Sequence, residues 1–179
     1  MRKYEIRLSG SGGQGLLLAG IILAEAAIID GLNAVQTQSY GPEARGGASK
    51  SEVIISEDSI DFPKVRNCDI LLSLTQKSYE QYNDNIRDNG ILIIDSSVTV
   101  NNNSNNKIFS MPILDSASKV LGKPMVTNII AIGALVAITK AVSKEALATA
   151  VLNRVPKGTE DLNKKALELG YEIAEKAIK

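Results

Sequence analysis

Residues Tyr4 to Asp30 read YEIRLSGSGGQGLLLAGIILAEAAIID, and this stretch decides the fold. Tyr4 to Ser9 alternates, which is the period of a strand, and it runs into a cluster of glycines. Gly15 to Ile29 follows, rich in Leu, Ala and Ile, with Gly31 just past Asp30 as a stop signal. That predicts a helix apolar on most faces and therefore largely buried. Within the turn, Gly10, Ser11, Gly12, Gly13, Gln14 and Gly15 fit the pattern G-x-G-x-x-G through Gly10, Gly12 and Gly15. Glycines there allow a tight turn and a close backbone approach, while the helix N-terminus offers free N–H groups to an anion. These six residues are candidates for binding a nucleotide or phosphate. The competing reading is that the glycines only let strand and helix, or another protein's backbone, come close.

A dinucleotide fold also places an acid at the end of its second strand, where it holds the ribose hydroxyls. The second strand here is Asn33 to Gln38, NAVQTQ, and the nearest acid is Glu43 in the following loop. The missing acid counts against NAD or FAD. No Gly-Lys-Ser/Thr follows the turn, so it is not a P-loop either.

Outward from this unit the alternation continues. Lys50–Ser56, Asp69–Leu74, Gly90–Asp95 and Lys107–Met111 read as strands, two of them uniformly apolar as in sheets covered on both faces. Gln76 to Asp88 is a polar helical pattern ending at Asn89 and Gly90, and Asn101 to Asn106 is an exposed turn. The last third is helical. Leu114–Leu121 is closed by Gly122, and Pro124 opens a long apolar helix to about Val142. Ser143 and Thr159 cap two more helices, the final one turning Leu162, Ala166, Leu169, Ile173 and Ala177 inward. The expectation is one α/β domain over residues 1–179, a Rossmann-like wound, mainly parallel sheet with a helical C-terminal third.

Composition excludes several classes. The 179 residues carry 20 basic and 20 acidic side chains, a net charge of zero, which disfavours a nucleic-acid binder. With 44% hydrophobic residues the chain can bury a core. It has no His and one cysteine, Cys68, which excludes Ser-His-Asp and Cys-His chemistry, a disulfide framework and a cysteine-ligated metal site within this chain. The longest apolar run, Ile129 to Thr139, stops at Lys140, short of the roughly 20 residues a bilayer span needs. No secretory pattern opens the sequence, so a cytoplasmic protein without membrane contact is expected.

The most unusual stretch is Gln38 to Ser49, QSYGPEARGGAS. It gathers an aromatic, an acid, an arginine and three glycines at the C-terminal end of a predicted strand, the edge where open α/β sheets dock ligands. Ser39, Tyr40, Gly41, Pro42, Glu43, Arg45, Gly46 and Gly47 are its candidate partner or active-site residues. Arg45 could clamp a carboxylate or phosphate, or could pair with Glu43 and hold the loop in shape. Elsewhere, Cys68 reads as a small, partly buried apolar residue, the pair Tyr79 and Tyr82 as core, Asp95 as capping or forming a turn through Ser96 and Ser97, and Asn128 as satisfying a buried backbone group or a subunit contact. Thr75 and Gln76 could hydrogen-bond a ligand or partner at the same edge.

GSGGQG at Gly10–Gly15, QSYGPEARGGASKSEV at Gln38–Val53, LLSLTQKSY at Leu71–Tyr79 and TNIIAIGAL at Thr127–Leu135 resemble the gamma subunit of 2-oxoacid:ferredoxin (acceptor) oxidoreductases, over almost the whole chain. The 2-oxoglutarate enzyme is the nearest likeness. The resemblance implies oxidative decarboxylation of a 2-oxoacid on thiamine diphosphate and Mg²⁺, electron transfer through iron–sulfur clusters to ferredoxin, and transfer of the acyl group to coenzyme A. It implies that those cofactors sit in companion alpha and beta subunits, with a ferredoxin-like delta subunit, since this sequence lacks a G-D-G thiamine motif and the cysteines for a cluster. The gamma chain is then structural and site-completing, inactive alone, and could pair with itself when isolated. Pyruvate, 2-oxoisovalerate or indolepyruvate enzymes are alternatives within the resemblance, and a stand-alone nucleotide binder is the alternative outside it.

Overall fold

The structure is a computed structural model that describes residues 2–38, 48–101 and 105–179. Six strands form one sheet: β1 (Lys3–Gly10), β2 (Asn33–Gln38), β3 (Ser49–Ser56), β4 (Cys68–Ser73), β5 (Ile86–Asp95) and β6 (Lys107–Met111). Their order across the sheet is β2-β3-β1-β4-β5-β6. β1, β4, β5 and β6 are successive parallel neighbours, as a wound fold predicts. β3 is the exception, lying between β2 and β1 and antiparallel to both. β2 therefore still runs with the parallel set, and five of the six strands end at the same edge.

Helix α1 (Leu16–Ile29) returns from the glycine turn across one face of the sheet. Gly31, at φ 78°, closes it as expected, with the Leu32 N–H donating to the Ala27 carbonyl at 2.9 Å. The same face carries α4 (Thr127–Thr139), α5 (Lys144–Arg154) and α6 (Glu160–Ile178). Ile6, Leu8, Val53, Ile55, Ile70, Leu72 and Ile93 point from the strands into these helices and form the larger core. α4 and α6 meet at two glycines. A Cβ on Gly133 would lie 3.0 Å from the Leu167 carbonyl, and one on Gly170 would run into the Ile130 carbonyl. This close crossing moves the buried line of α6 onto Asn163, Ala166, Leu167, Gly170, Ile173 and Ala174. The predicted Leu162, Leu169 and Ala177 flank it, half-buried.

The opposite face is covered thinly. It has the short helix α2 (Gln76–Tyr82), the 57–67 connection and the residues after β5, around a smaller cluster of Ile54, Cys68, Leu71, Tyr79, Tyr82, Leu92 and Ile94. Tyr79 and Tyr82 are core residues, as read.

Local corrections follow from side-chain chemistry. α2 stops at Tyr82, six residues before the expected end, because Asn83, Asp84 and Asn85 favour a 3₁₀ turn over continued helix. β5 consequently starts at Ile86, and the expected turn at Asn89 (φ 62°) becomes an irregularity inside the strand. The expected helix at Leu114–Leu121 is one α turn, α3 (Ile113–Asp115), followed by a π turn at Ser116–Val120. There the Ser118 hydroxyl donates to the Leu114 carbonyl, the position a regular helix bond would use. Pro124–Val126 forms a 3₁₀ turn before α4, which ends at Thr139 with Lys140 in the left-handed region. Ser143 caps α5 by accepting from the Ala146 N–H. Thr159 does not cap α6 through its side chain; its hydroxyl donates to the Pro156 carbonyl and accepts from Asn163. No helix among the described residues is long and apolar enough to cross a membrane.

Candidate functional site

The C-terminal edge of the sheet collects the singled-out stretches. Gly10, the last residue of β1, is the register partner of Ser49, the first residue of β3. Ser9 pairs with Ser73 of β4, and the Leu74 N–H donates to the Ser9 carbonyl at 3.0 Å. From the helical side, the Asn128 amide donates to the Gly15 carbonyl at 3.1 Å. Parts of all four stretches thus touch through backbone or one amide. The segment of residues 39–47, which holds Ser39, Tyr40, Gly41, Pro42, Glu43, Arg45, Gly46 and Gly47, lies outside the described residues. Its two flanks are neighbours: Gln38 pairs with Ser51 across the antiparallel ladder, so the connection leaves and returns at one place on this edge.

The glycines of the turn divide by cause. Gly15 sits at φ 72°, and a Cβ there would lie 2.6 Å from the Asn128 amide nitrogen. Gly10 is hemmed in by the Gln14 side chain, Leu16 and Leu74. Both are explained by packing. Gly13 needs its positive φ of 84°. Gly12 has neither reason, since its φ is not in the left-handed region and no described residue beyond its chain neighbours lies within 4 Å of a Cβ placed there. Gln14 folds back over the turn, its Oε1 accepting the Ser11 N–H at 2.8 Å. A neutral oxygen already occupies one N–H that an anion would use. Beside Asn128 an apolar cleft of about 180 Å³ opens, lined by Leu18, Met125, Ile129 and Pro156 among others. A larger hollow of about 910 Å³ lies at the opposite edge, around Asp30, Lys140 and Ser143, away from every singled-out loop.

Other candidates prove to be engaged internally. Thr75 caps α2 in a reciprocal pair with Ser78. Gln76 is tied to Thr99 by both ends of its amide, at 3.1 and 2.8 Å. Asp95 accepts the Ser97 and Leu114 N–H groups on its two oxygens, which is the capping role expected of it. Cys68 is fully buried, and burial pushes its thiol up to about 11.

Sequence reading missed one polar group on the thin face. Arg7 of β1 and Glu52 of β3 are register partners, both buried, with Nε donating to Oε1 at 2.8 Å. Lys50 donates to the same oxygen at 3.1 Å, and Arg7 also donates to the Val65 carbonyl at 3.1 Å. Arg7 and Lys50 both lie over the Tyr82 ring, whose hydroxyl donates to the Ala48 carbonyl. The available signal was a charge at alternate positions in both strands, Glu5 and Arg7 in β1 and Lys50 and Glu52 in β3, of which Arg7 and Glu52 face each other. It acquires meaning only once the register is known.

This arrangement defines a wound α/β domain with a glycine turn at the C-terminal edge of its sheet, but not a dinucleotide domain. There the second strand flanks the first; here β3 takes that place and moves the end of β2 one strand spacing, roughly 4.8 Å, further off. The comparisons complete the identification. Residues 5–173 match the family described as pyruvate ferredoxin/flavodoxin oxidoreductase. Subunit KorC of 2-oxoglutarate synthase from Methanocaldococcus jannaschii is 50% identical, over 97% of this chain and 95% of its own. The crystal structure of the gamma subunit of a keto/oxoacid ferredoxin oxidoreductase from Geobacter sulfurreducens PCA superposes with a TM-score of 0.91 at 49% identity, covering 99% of both chains. The 2-oxoglutarate:ferredoxin oxidoreductase of Magnetococcus marinus, solved with 2-oxoglutarate, coenzyme A and succinyl-CoA bound, shares the fold at TM-score 0.87 and 20% identity, over 98% of this chain and 32% of that one. The chain belongs to the pyruvate ferredoxin/flavodoxin oxidoreductase family.

An iron–sulfur cluster of the usual kind takes four thiolates. This chain has one cysteine, fully buried and with its thiol held protonated, and it does not fit such a group.

Proposed function

We propose that this chain is the gamma subunit of a 2-oxoglutarate:ferredoxin oxidoreductase and completes a site whose chemistry is carried by companion alpha and beta subunits. Those companions hold thiamine diphosphate, Mg²⁺ and the iron–sulfur clusters, decarboxylate the oxoacid and pass its two electrons to ferredoxin, while the acyl group leaves on coenzyme A. The choice of 2-oxoglutarate rests on the relative that is half identical over nearly the full chain. The observation that carries the site reading is the meeting of the glycine turn with the flanks of the 39–47 segment, Gly10 beside Ser49, on the edge where wound sheets dock ligands.

Gly12 supports a use for that edge outside the described residues, since none of them requires a glycine there. Either the phosphates of coenzyme A or the backbone of a companion subunit would occupy that space. Gln14 gives up its bond to Ser11 in the first case. The 39–47 segment, with Arg45 as its one cation, contacts the companions near the thiamine site or the coenzyme A entrance.

The test is reconstitution of the complex with wild-type or Arg45→Ala gamma subunit, assayed with 2-oxoglutarate, pyruvate, 2-oxoisovalerate and indolepyruvate. Turnover of 2-oxoglutarate far above the other three, reduced at least tenfold by the substitution, is expected. Unchanged assembly and turnover with Arg45→Ala would sink the role given to the segment, and preference for another acid would reassign the substrate.

A further inference from the structure

The cluster around Arg7 joins two strands, α2 and the 57–67 connection at one point of the thin face. Arg7 comes from β1, Glu52 and Lys50 from β3, Tyr82 from α2, and the Val65 carbonyl from the 57–67 connection. Its outermost bond, Tyr82 hydroxyl to Ala48 carbonyl, holds the residue immediately after the 39–47 segment. Ala48 is itself buried.

Stability alone is a poor reason for such a cluster. Replacing a buried ion pair by apolar residues of similar volume is often neutral or stabilising, and the neighbouring positions Ile54 and Leu71 on this face are already apolar. The pairing is also imperfect. Two cations share one oxygen of Glu52, and Arg7 Nη1 is buried without an acceptor among the described residues. What the cluster does supply is direction. A guanidinium offers a rigid fork of donors, and here it locks β1 against β3, α2 and the 57–67 connection in one geometry. The register pair Gly10–Ser49 lies three residues further along both strands, so the same lock sets how the glycine turn and the start of β3 face each other.

We infer that Arg7 is a positioning residue of the reaction: through Glu52, Lys50 and Tyr82 it fixes Ala48 and Ser49, at the head of β3, beside the glycine turn. The inference rests on the reading of that edge as the site-completing surface. Arg7 touches no substrate; it acts through Ala48 and Ser49.

The experiment uses the reconstituted complex with three gamma subunits: wild type, the apolar double variant Arg7→Met/Glu52→Leu, and Tyr82→Phe, which removes the one bond to Ala48. For each, the melting temperature of the subunit is measured beside KM for coenzyme A and for 2-oxoglutarate, and kcat. The expected result is a double variant that melts within a few degrees of wild type yet shows a tenfold or larger rise in one KM. Tyr82→Phe should raise the same KM at least threefold with melting unchanged. A purely structural cluster would move melting and leave both KM values alone, and that outcome overturns the inference. If the double variant does not fold, Tyr82→Phe decides alone by the same threshold. Arg45→Ala in the same assay separates the two levels. If it abolishes turnover while the cluster variants keep wild-type KM values, only the positioning role fails; if it is silent, the reading of the edge fails and the inference with it.

Discussion

The two faces of the sheet are built on different principles. One carries four helices and an apolar core in which α1, α4, α5 and α6 cover the inward residues of β1, β3, β4 and β5. The other is roofed by a seven-residue helix and two connections, and it buries Glu5, Arg7 and Glu52 among its apolar side chains. The first face is held by close fit, which is non-directional but intolerant of added volume. The second depends on buried charges and their hydrogen bonds, which are directional. The glycine turn and the flanks of the 39–47 segment lie on the edge between them, so each face contributes one wall of the candidate site.

The sharpest way to break the helical face is Gly170→Ala. The new methyl would meet the Ile130 carbonyl and lie 3.0 Å from the Ala134 nitrogen, both backbone and unable to rotate away. A loss of about 3 kcal/mol is expected, the upper part of the overpacking range, even after the gain in helix propensity of up to roughly 1 kcal/mol. Urea unfolding of the single variant checks it; a neutral or stabilised protein would show that α4 and α6 can slide apart.

A smaller effect sets the second face apart. Burial raises the Cys68 thiol to about 11 from an ordinary 9.0, so the folded chain keeps this proton over a range where the unfolded chain releases it. The associated stability is whole below about pH 9 and drains away as pH climbs toward 11, by roughly 2–3 kcal/mol in all. Cys68→Ala lacks this loss. Its stability deficit relative to wild type, from the small cavity it leaves, should therefore shrink between pH 8.5 and pH 11. A deficit that stays constant over that range would mean that the thiol is solvated on this face.

The smallest effect on folding belongs to the edge. Gly12→Ala places a methyl where no described residue meets it, outside the left-handed region, and a stability change within about 0.5 kcal/mol is expected. In the assembled complex the same methyl should raise the KM for coenzyme A or weaken assembly, as the proposed use of that space by an outside group requires. Gly15→Ala would not make this distinction, since its φ of 72° and its contact with Asn128 confound folding with function.

Much of the fold was legible because its signals are local. The helix from the glycine turn to Ile29, its stop at Gly31, the cap at Ser143 and the apolar strands each depend on neighbouring residues. What was misread also has local causes, such as the run Asn83–Asn85 ending α2 early and Ser118 turning α3 into a π turn. The site was legible in part. Reading the glycine turn as a single motif hid the fact that Gly10 and Gly15 serve packing while Gly12 does not. The Arg7 cluster was invisible, because an arginine in a strand has no address until its partner strand is known.

By itself the sequence determined the class of sheet, the helical last third and the lack of four cysteines for a cluster, since periodicity, caps and residue inventory are properties of short stretches; the family came from the resemblance of its loop motifs. Only the tertiary structure decided that β3 inserts antiparallel between β2 and β1, which displaces the end of β2 from a dinucleotide's ribose and sets Gly10 beside Ser49. The reason is that strand register joins residues some 40 positions apart, Arg7 with Glu52 among them, through backbone bonds that any sequence can make. The choice among registers rests on the burial of whole faces, not on any local pattern.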